Sequence, residues 1–121
     1  MAKHKPITIF GLTTCETTRS ARKWLAGRGV EAKFHDLRED GLSKAQVEAW
    51  VSQLGWEKVL NKASTTWREL PEREKKDIDA KKAVSLLLQH PTLVKRPVLE
   101  RGEEVTVGFK ADHYGELFPI R

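Results

Sequence analysis

The period of the apolar positions changes several times along the chain, and each change marks an element. From Ile7 to Leu12 the run Ile-Thr-Ile-Phe-Gly-Leu is rich in β-branched and aromatic residues and is closed by Thr13-Thr14, which predicts a buried strand. Ala21, Trp24 and Leu25 then recur at helical spacing up to Gly29, a residue suited to a helix C-terminus, so a helix is expected from about Glu16 to Arg28. Val30 to Leu37 alternates apolar Val30, Ala32 and Phe34 with polar neighbours and predicts a second strand. It should run parallel to the first, because a helix carries the crossover.

The middle of the chain is helical. Ser43 and Gln46 have capping-box spacing ahead of Val47, Trp50, Val51 and Leu54, with Gly55 as the stop. Shorter helical pieces are expected at Trp56–Leu60, at Thr66–Leu70 and from Pro71 onward. A clearer helix is capped by Asp79, runs to Gln89 and stops before Pro91. Strand signals then return. Pro97–Glu100, a turn around Arg101-Gly102-Glu103, and Val105–Gly108 read as an antiparallel hairpin, and Asp112 is placed to cap a last helix ending near Phe118. The order strand, helix, strand, helical block, strand, strand, helix is that of an α/β thioredoxin-like fold with a helical insertion between its second and third strands. We read residues 1–121 as a single domain with the insertion at about 42–92.

Composition narrows the function classes. The 121 residues are 39% hydrophobic and 32% charged, a globular balance with enough chain to bury roughly two-thirds of the unfolded surface. The longest nearly uninterrupted apolar stretch, Ala83–Leu88, is far short of the about 20 residues of a membrane helix. With no secretory signal pattern near the start either, a cytoplasmic protein is expected. The 22 Lys and Arg against 17 Asp and Glu leave a net charge of +5. The signs are interspersed, which argues against a nucleic-acid-binding arm and suits a small anionic ligand.

One cysteine is present, Cys15, so an internal disulfide and a cysteine-based zinc site are both excluded. The histidines His4, His35, His90 and His113 show no metal spacing, and no metal or tightly bound cofactor is expected. Cys15 falls between a strand end and a helix start, where unpaired N–H groups and the helix dipole favour an anion such as a thiolate. Arg19, one turn on, is placed to bring a guanidinium toward the sulfur, with Arg22 further along the same side. A reactive thiol of lowered pKa is therefore expected, the alternative being a small buried apolar residue. A second feature is Lys95-Arg96-Pro97-Val98, where a proline opens a strand directly after an arginine, a setting in which a cis bond would turn the strand edge toward the cysteine loop. By themselves, Trp67 reads as core and Arg68 as a solvated helix residue.

Several of these segments, in order and spacing, carry a family likeness. Thr14-Cys15-Glu16-Thr17-Thr18-Arg19, Leu54-Gly55-Trp56, Thr65-Thr66-Trp67-Arg68, Gln89-His90-Pro91, Lys95-Arg96-Pro97-Val98 and Val107-Gly108-Phe109 resemble the arsenate reductase-like superfamily that also contains Spx, most closely its YffB branch. The likeness runs from about Ile7 to Phe118. It implies a thioredoxin-like domain with one nucleophilic cysteine, Cys15, and an anion or glutathione site drawn from Thr17, Thr18, Arg19, Arg68, Arg96 and Pro97. Two positions depart from relatives. Thr18 stands where Spx proteins place a second cysteine, and Phe109-Lys110 stands where glutathione-linked arsenate reductases carry a third arginine. A lysine cannot reproduce the bidentate fork of arginine.

The resulting expectation is a glutathione-dependent thiol oxidoreductase, with glutathione as co-substrate and glutaredoxin as a candidate partner. The rivals are an arsenate reductase using the same thiol and a non-enzymatic Spx-like regulator that binds RNA polymerase.

Overall fold

In chain order the elements are β1 (Ile7–Gly11), α1 (Glu16–Gly27), β2 (Lys33–Asp36), α2 (Lys44–Leu54), α3 (Trp56–Val59), α4 (Thr65–Glu69), α5 (Glu72–Lys75), α6 (Ala80–Gln89), a 3₁₀ turn at Pro91–Leu93, β3 (Val98–Arg101), β4 (Glu104–Val107) and α7 (Ala111–Leu117). The computed structural model describes residues 6–119. They fall into two units, one made of the described residues through Asp36 together with those from Arg96 onward, the other of Leu37–Lys95.

The first unit is built on a four-stranded sheet in the order β2-β1-β3-β4. β1 pairs parallel with β2 and antiparallel with β3, which pairs antiparallel with β4. A parallel β1–β2 pair requires a crossover, and α1 supplies it as its spacing predicts. Thr18, Ala21 and Leu25 form the buried stripe of α1, and the last two meet Ile9, Leu99 and Tyr114 in the core. Trp24, Phe109 and Phe118 close that core around Tyr114, all three edge-on to its ring.

Among the boundaries that differ from the pattern, those of β1, β2 and α7 have a clear local reason. β1 ends at Gly11 because the Leu12 carbonyl accepts a hydrogen bond from the Cys15 N–H at 3.0 Å, which turns the chain. β2 begins at Lys33 rather than Val30. Gly29 has a positive φ of 77° and donates to the Ala26 carbonyl, while Val30 donates to the Leu25 carbonyl at 2.9 Å, a Schellman closure of α1. With its N–H engaged there, Val30 has none for the sheet, yet its side chain still packs on the core. Asp112 lies inside the first turn of α7 rather than at its cap, which is Lys110, so its carboxylate complements the dipole without capping.

The second unit is helical. The expected capping box starts α2, with the Gln46 N–H donating to Ser43 Oγ at 3.1 Å and the Ser43 N–H donating to Gln46 Oε1 at 3.0 Å. Asp79 caps α6 by accepting from the Lys82 N–H at 2.8 Å. Ser64 Oγ does the same for α4, accepting from the Trp67 N–H at 3.1 Å. Val47 and Trp50 of α2 and Ala83, Leu86 and Leu87 of α6 are buried where the two helices pack. No helix of the described residues is long and apolar enough to cross a membrane.

Candidate functional site

Cys15 is the N-cap of α1, with extended backbone and no side-chain capping bond. Its carbonyl accepts the first intrahelical bond, from the Arg19 N–H at 3.0 Å, so the backbone is committed to the helix while the thiol is left for other use. The thiol is partly exposed. Partial burial pushes it up, but the Thr18 hydroxyl, the Thr18 backbone N–H, the positive charge of Arg96 and the Thr17 backbone N–H all favour the thiolate. Together they hold Cys15 below the usual range of a thiol.

Sheet register explains why Arg96 is the cation. β1 and β3 pair as Ile9 with Leu99 and Phe10 with Val98. Continuing that antiparallel register one step sets Gly11 across from Pro97, so the chain leaving β1 toward Cys15 passes the chain entering β3 from Arg96. The Arg96–Pro97 peptide bond is cis, as its strand-start position suggested. Pro97 is buried, and its carbonyl accepts from the Gly108 N–H at 2.9 Å, tying the entry of β3 to the end of β4.

The other residues singled out in the sequence fall as follows. Thr17 is exposed on the first turn of α1 and contributes its backbone N–H. Arg19 is exposed and points back, donating from Nη1 to the Thr13 carbonyl at 3.5 Å. Arg22 lies over the Phe34 ring, 4.1 Å from its centroid. The guanidinium that acts on the sulfur is thus the one brought by β3. Arg68 is in the other unit, exposed in the last turn of α4, with Nη2 donating to Thr65 Oγ1 at 3.3 Å. Phe109 packs edge-on to Tyr114 with ring centroids 4.7 Å apart, and Lys110 beside it is exposed. His35 lies against Phe10 with the rings tilted 40° to each other, and His4 lies outside the described residues.

Gly11 is buried at the end of β1 with an ordinary φ, and what it supplies is space. A glycine inside a strand pattern signals close approach of another group, and that signal was present in the sequence.

The lowered thiol has a consequence for stability. An acid whose folded pKa lies below its unfolded value, about 8.5 for cysteine, adds stability that is fully present above the unfolded value. That stability is lost as pH falls through the lowered folded value. The difference in urea midpoint between the natural chain and Cys15→Ser, measured under reducing conditions, is therefore expected to shift in favour of the natural chain as pH rises through this window. A difference independent of pH would contradict the lowered thiol.

Comparison with known proteins adds the last piece. The ArsC family model matches residues 10–117. An uncharacterized protein of Haemophilus influenzae is 40% identical over 112 residues, covering 93% of this chain and 98% of that protein. The solved structure of a protein named YFFB superposes with a TM-score of 0.90 at 40% identity, covering 93% of this chain and 98% of that one. An arsenate reductase (ArsC) related protein from Brucella melitensis is 38% identical, with a TM-score of 0.76 over 99% of this chain and 100% of that one. With a cysteine at the helix start inside a parallel β–α–β unit, and an antiparallel hairpin and a last helix later in the chain, the chain belongs to the ArsC family and has its thioredoxin-like fold.

Proposed function

We propose that this protein is a glutathione-dependent thiol oxidoreductase working through one cysteine. The observation that carries the reading is the Cys15 thiol at the start of α1, held toward the thiolate by two backbone N–H groups, the Thr18 hydroxyl and Arg96. The chain contains no other cysteine, so a second thiol must come from outside. In the first step the Cys15 thiolate attacks one sulfur of a glutathione mixed disulfide, R–S–S–G. A Cys15–glutathione disulfide forms, the S–S bond of the mixed disulfide breaks, and the departing R–S⁻ thiolate takes a proton from water. In the second step the thiolate of reduced glutathione attacks the bound glutathione sulfur, releasing glutathione disulfide and restoring the Cys15 thiolate. Overall R–S–S–G and one reduced glutathione become R–SH and glutathione disulfide, one thiol entering as another leaves. Arg96, beside the sulfur, supplies a guanidinium fork for a carboxylate of glutathione. The chemistry calls for a reducing, glutathione-containing compartment, the cytoplasm.

A second reading is supported by the likeness to the Brucella melitensis protein described as related to arsenate reductase. There the same thiolate would attack arsenate, and two glutathione thiols would become one disulfide as arsenic passes from the pentavalent to the trivalent state.

Mass spectrometry of the intact protein separates the readings. With glutathione disulfide we expect one glutathionyl group on Cys15, removed by added reduced glutathione. Arsenate with reduced glutathione should leave the chain largely unchanged and yield little arsenite. Efficient arsenite production would favour the second reading. A Cys15 that alkylates readily yet accepts neither group would overturn both and favour a regulator that binds RNA polymerase.

A further inference from the structure

Thr18 has no exposed surface, although it is polar and stands on the first turn of a surface helix. It shares the inward stripe of α1 with Ala21 and Leu25, three and seven residues on, and this turns it toward the end of β1. A helical threonine usually satisfies its hydroxyl by donating to the carbonyl one turn back. Thr18 does not: its Oγ1 is buried and makes no hydrogen bond among the described residues. A buried hydroxyl without an acceptor is destabilising, so its placement calls for one. The Cys15 thiolate, three residues back at the helix start, is the charge that its hydroxyl favours.

Gly11 makes this placement possible. A Cβ added there would lie 2.4 Å from Thr18 Oγ1, 2.5 Å from its Cγ2 and 3.0 Å from its Cβ. Both branches of the threonine are in the way at once, so rotating the side chain exchanges one collision for another. Gly11 is not among the positive-φ glycines, and no backbone strain explains it. Its bare Cα is a seat.

The geometry points to Gly11 and Thr18 as a single positioning device for the nucleophile. The missing side chain of Gly11 lets Thr18 close onto the end of β1, and the hydroxyl so seated donates to the Cys15 sulfur and fixes where its negative charge is held. Gly11 and Thr18 are positioning residues; the sulfur remains the atom that reacts. The inference rests on the reading of Cys15 as a nucleophile, but its test needs no glutathione and so can fail or succeed independently of the proposed co-substrate.

The test follows the alkylation rate of Cys15 by iodoacetamide against pH in the full chain, together with the ultraviolet absorbance of the thiolate. Thr18→Val keeps the shape and removes the hydroxyl. Below the thiol's pKa it should leave about tenfold less thiolate, the loss expected for one hydrogen bond to a charged acceptor. Thr18→Ser should recover most of that loss. Gly11→Ala should reproduce the effect of Thr18→Val with the hydroxyl still in the sequence. The double variant Gly11→Ala/Thr18→Val should be little worse than either alone, because both remove the same bond. A Thr18→Val profile matching the natural chain would overturn the inference. So would effects of the two single variants that add in full. Circular dichroism checks that each variant is folded, and if Gly11→Ala is not, the contrast between Thr18→Val and Thr18→Ser decides.

Discussion

Cys15→Ser is expected to abolish glutathionylation and reduce disulfide exchange to the rate in buffer alone, while leaving the protein folded. The chemical part is direct: a serine oxygen cannot form the mixed disulfide, and no other cysteine in the chain can take its place. The structural part follows from where Cys15 stands. It is the N-cap of α1 and makes no side-chain capping bond, whereas serine is among the preferred N-cap residues and can accept from the first-turn N–H groups. Serine offers the same N–H groups a neutral acceptor where the thiolate offers a charged one, so the variant should stay folded at neutral pH and a loss of exchange cannot be attributed to unfolding. Mass spectrometry with glutathione disulfide and a urea titration of the same sample test both halves. Residual turnover by the serine variant would remove Cys15 from the centre of the chemistry.

Local pattern made much of this fold readable, because the signals that start and stop its helices are short-range. Ser43 with Gln46, and Asp79 ahead of α6, are caps whose bonds close within one turn, and both are found as the spacing indicates. The misplaced boundaries came from competition for a single group. Val30 fits a strand by alternation, but its N–H is taken by the Leu25 carbonyl, a bond that alternation does not encode. The environment of the sulfur was only half legible. The helix-start position of Cys15 followed from the strand before it and the stripe after it. Arg19 was the nearest cation in sequence, whereas Arg96 is the one delivered by β1–β3 pairing, and a register of residues about ninety positions apart has no signature in either segment alone. Thr18 could have been placed inward from its spacing to Ala21 and Leu25. What it faces could not, since that depends on the bare Cα of Gly11 on another element.

Arg96 carries the second large expected effect, and two substitutions divide its roles. Arg96→Gln removes the charge beside the sulfur and the fork together, so the alkylation profile of Cys15 should move to higher pH and glutathione disulfide should bind more weakly. Arg96→Lys keeps a positive charge but presents three donors on a flexible stem in place of a planar fork. Its alkylation profile should remain near that of the natural chain, while KM for glutathione disulfide rises about tenfold or more, the scale of one charge-assisted hydrogen bond. A lysine variant with unchanged KM would reduce Arg96 to a point charge. The same logic extends to arsenate through the position where a third arginine is missing. Phe109 packs against Tyr114, so an arginine there would open the core before it could grip an anion, but Lys110 is exposed and can be exchanged without that cost. Lys110→Arg should raise arsenate turnover if the absent fork is what limits it, and should leave disulfide exchange at Cys15 as it was. If the unmodified chain reduces arsenate as readily as it exchanges glutathione disulfide, Lys110 is already sufficient and arsenate reduction is the better reading of the site.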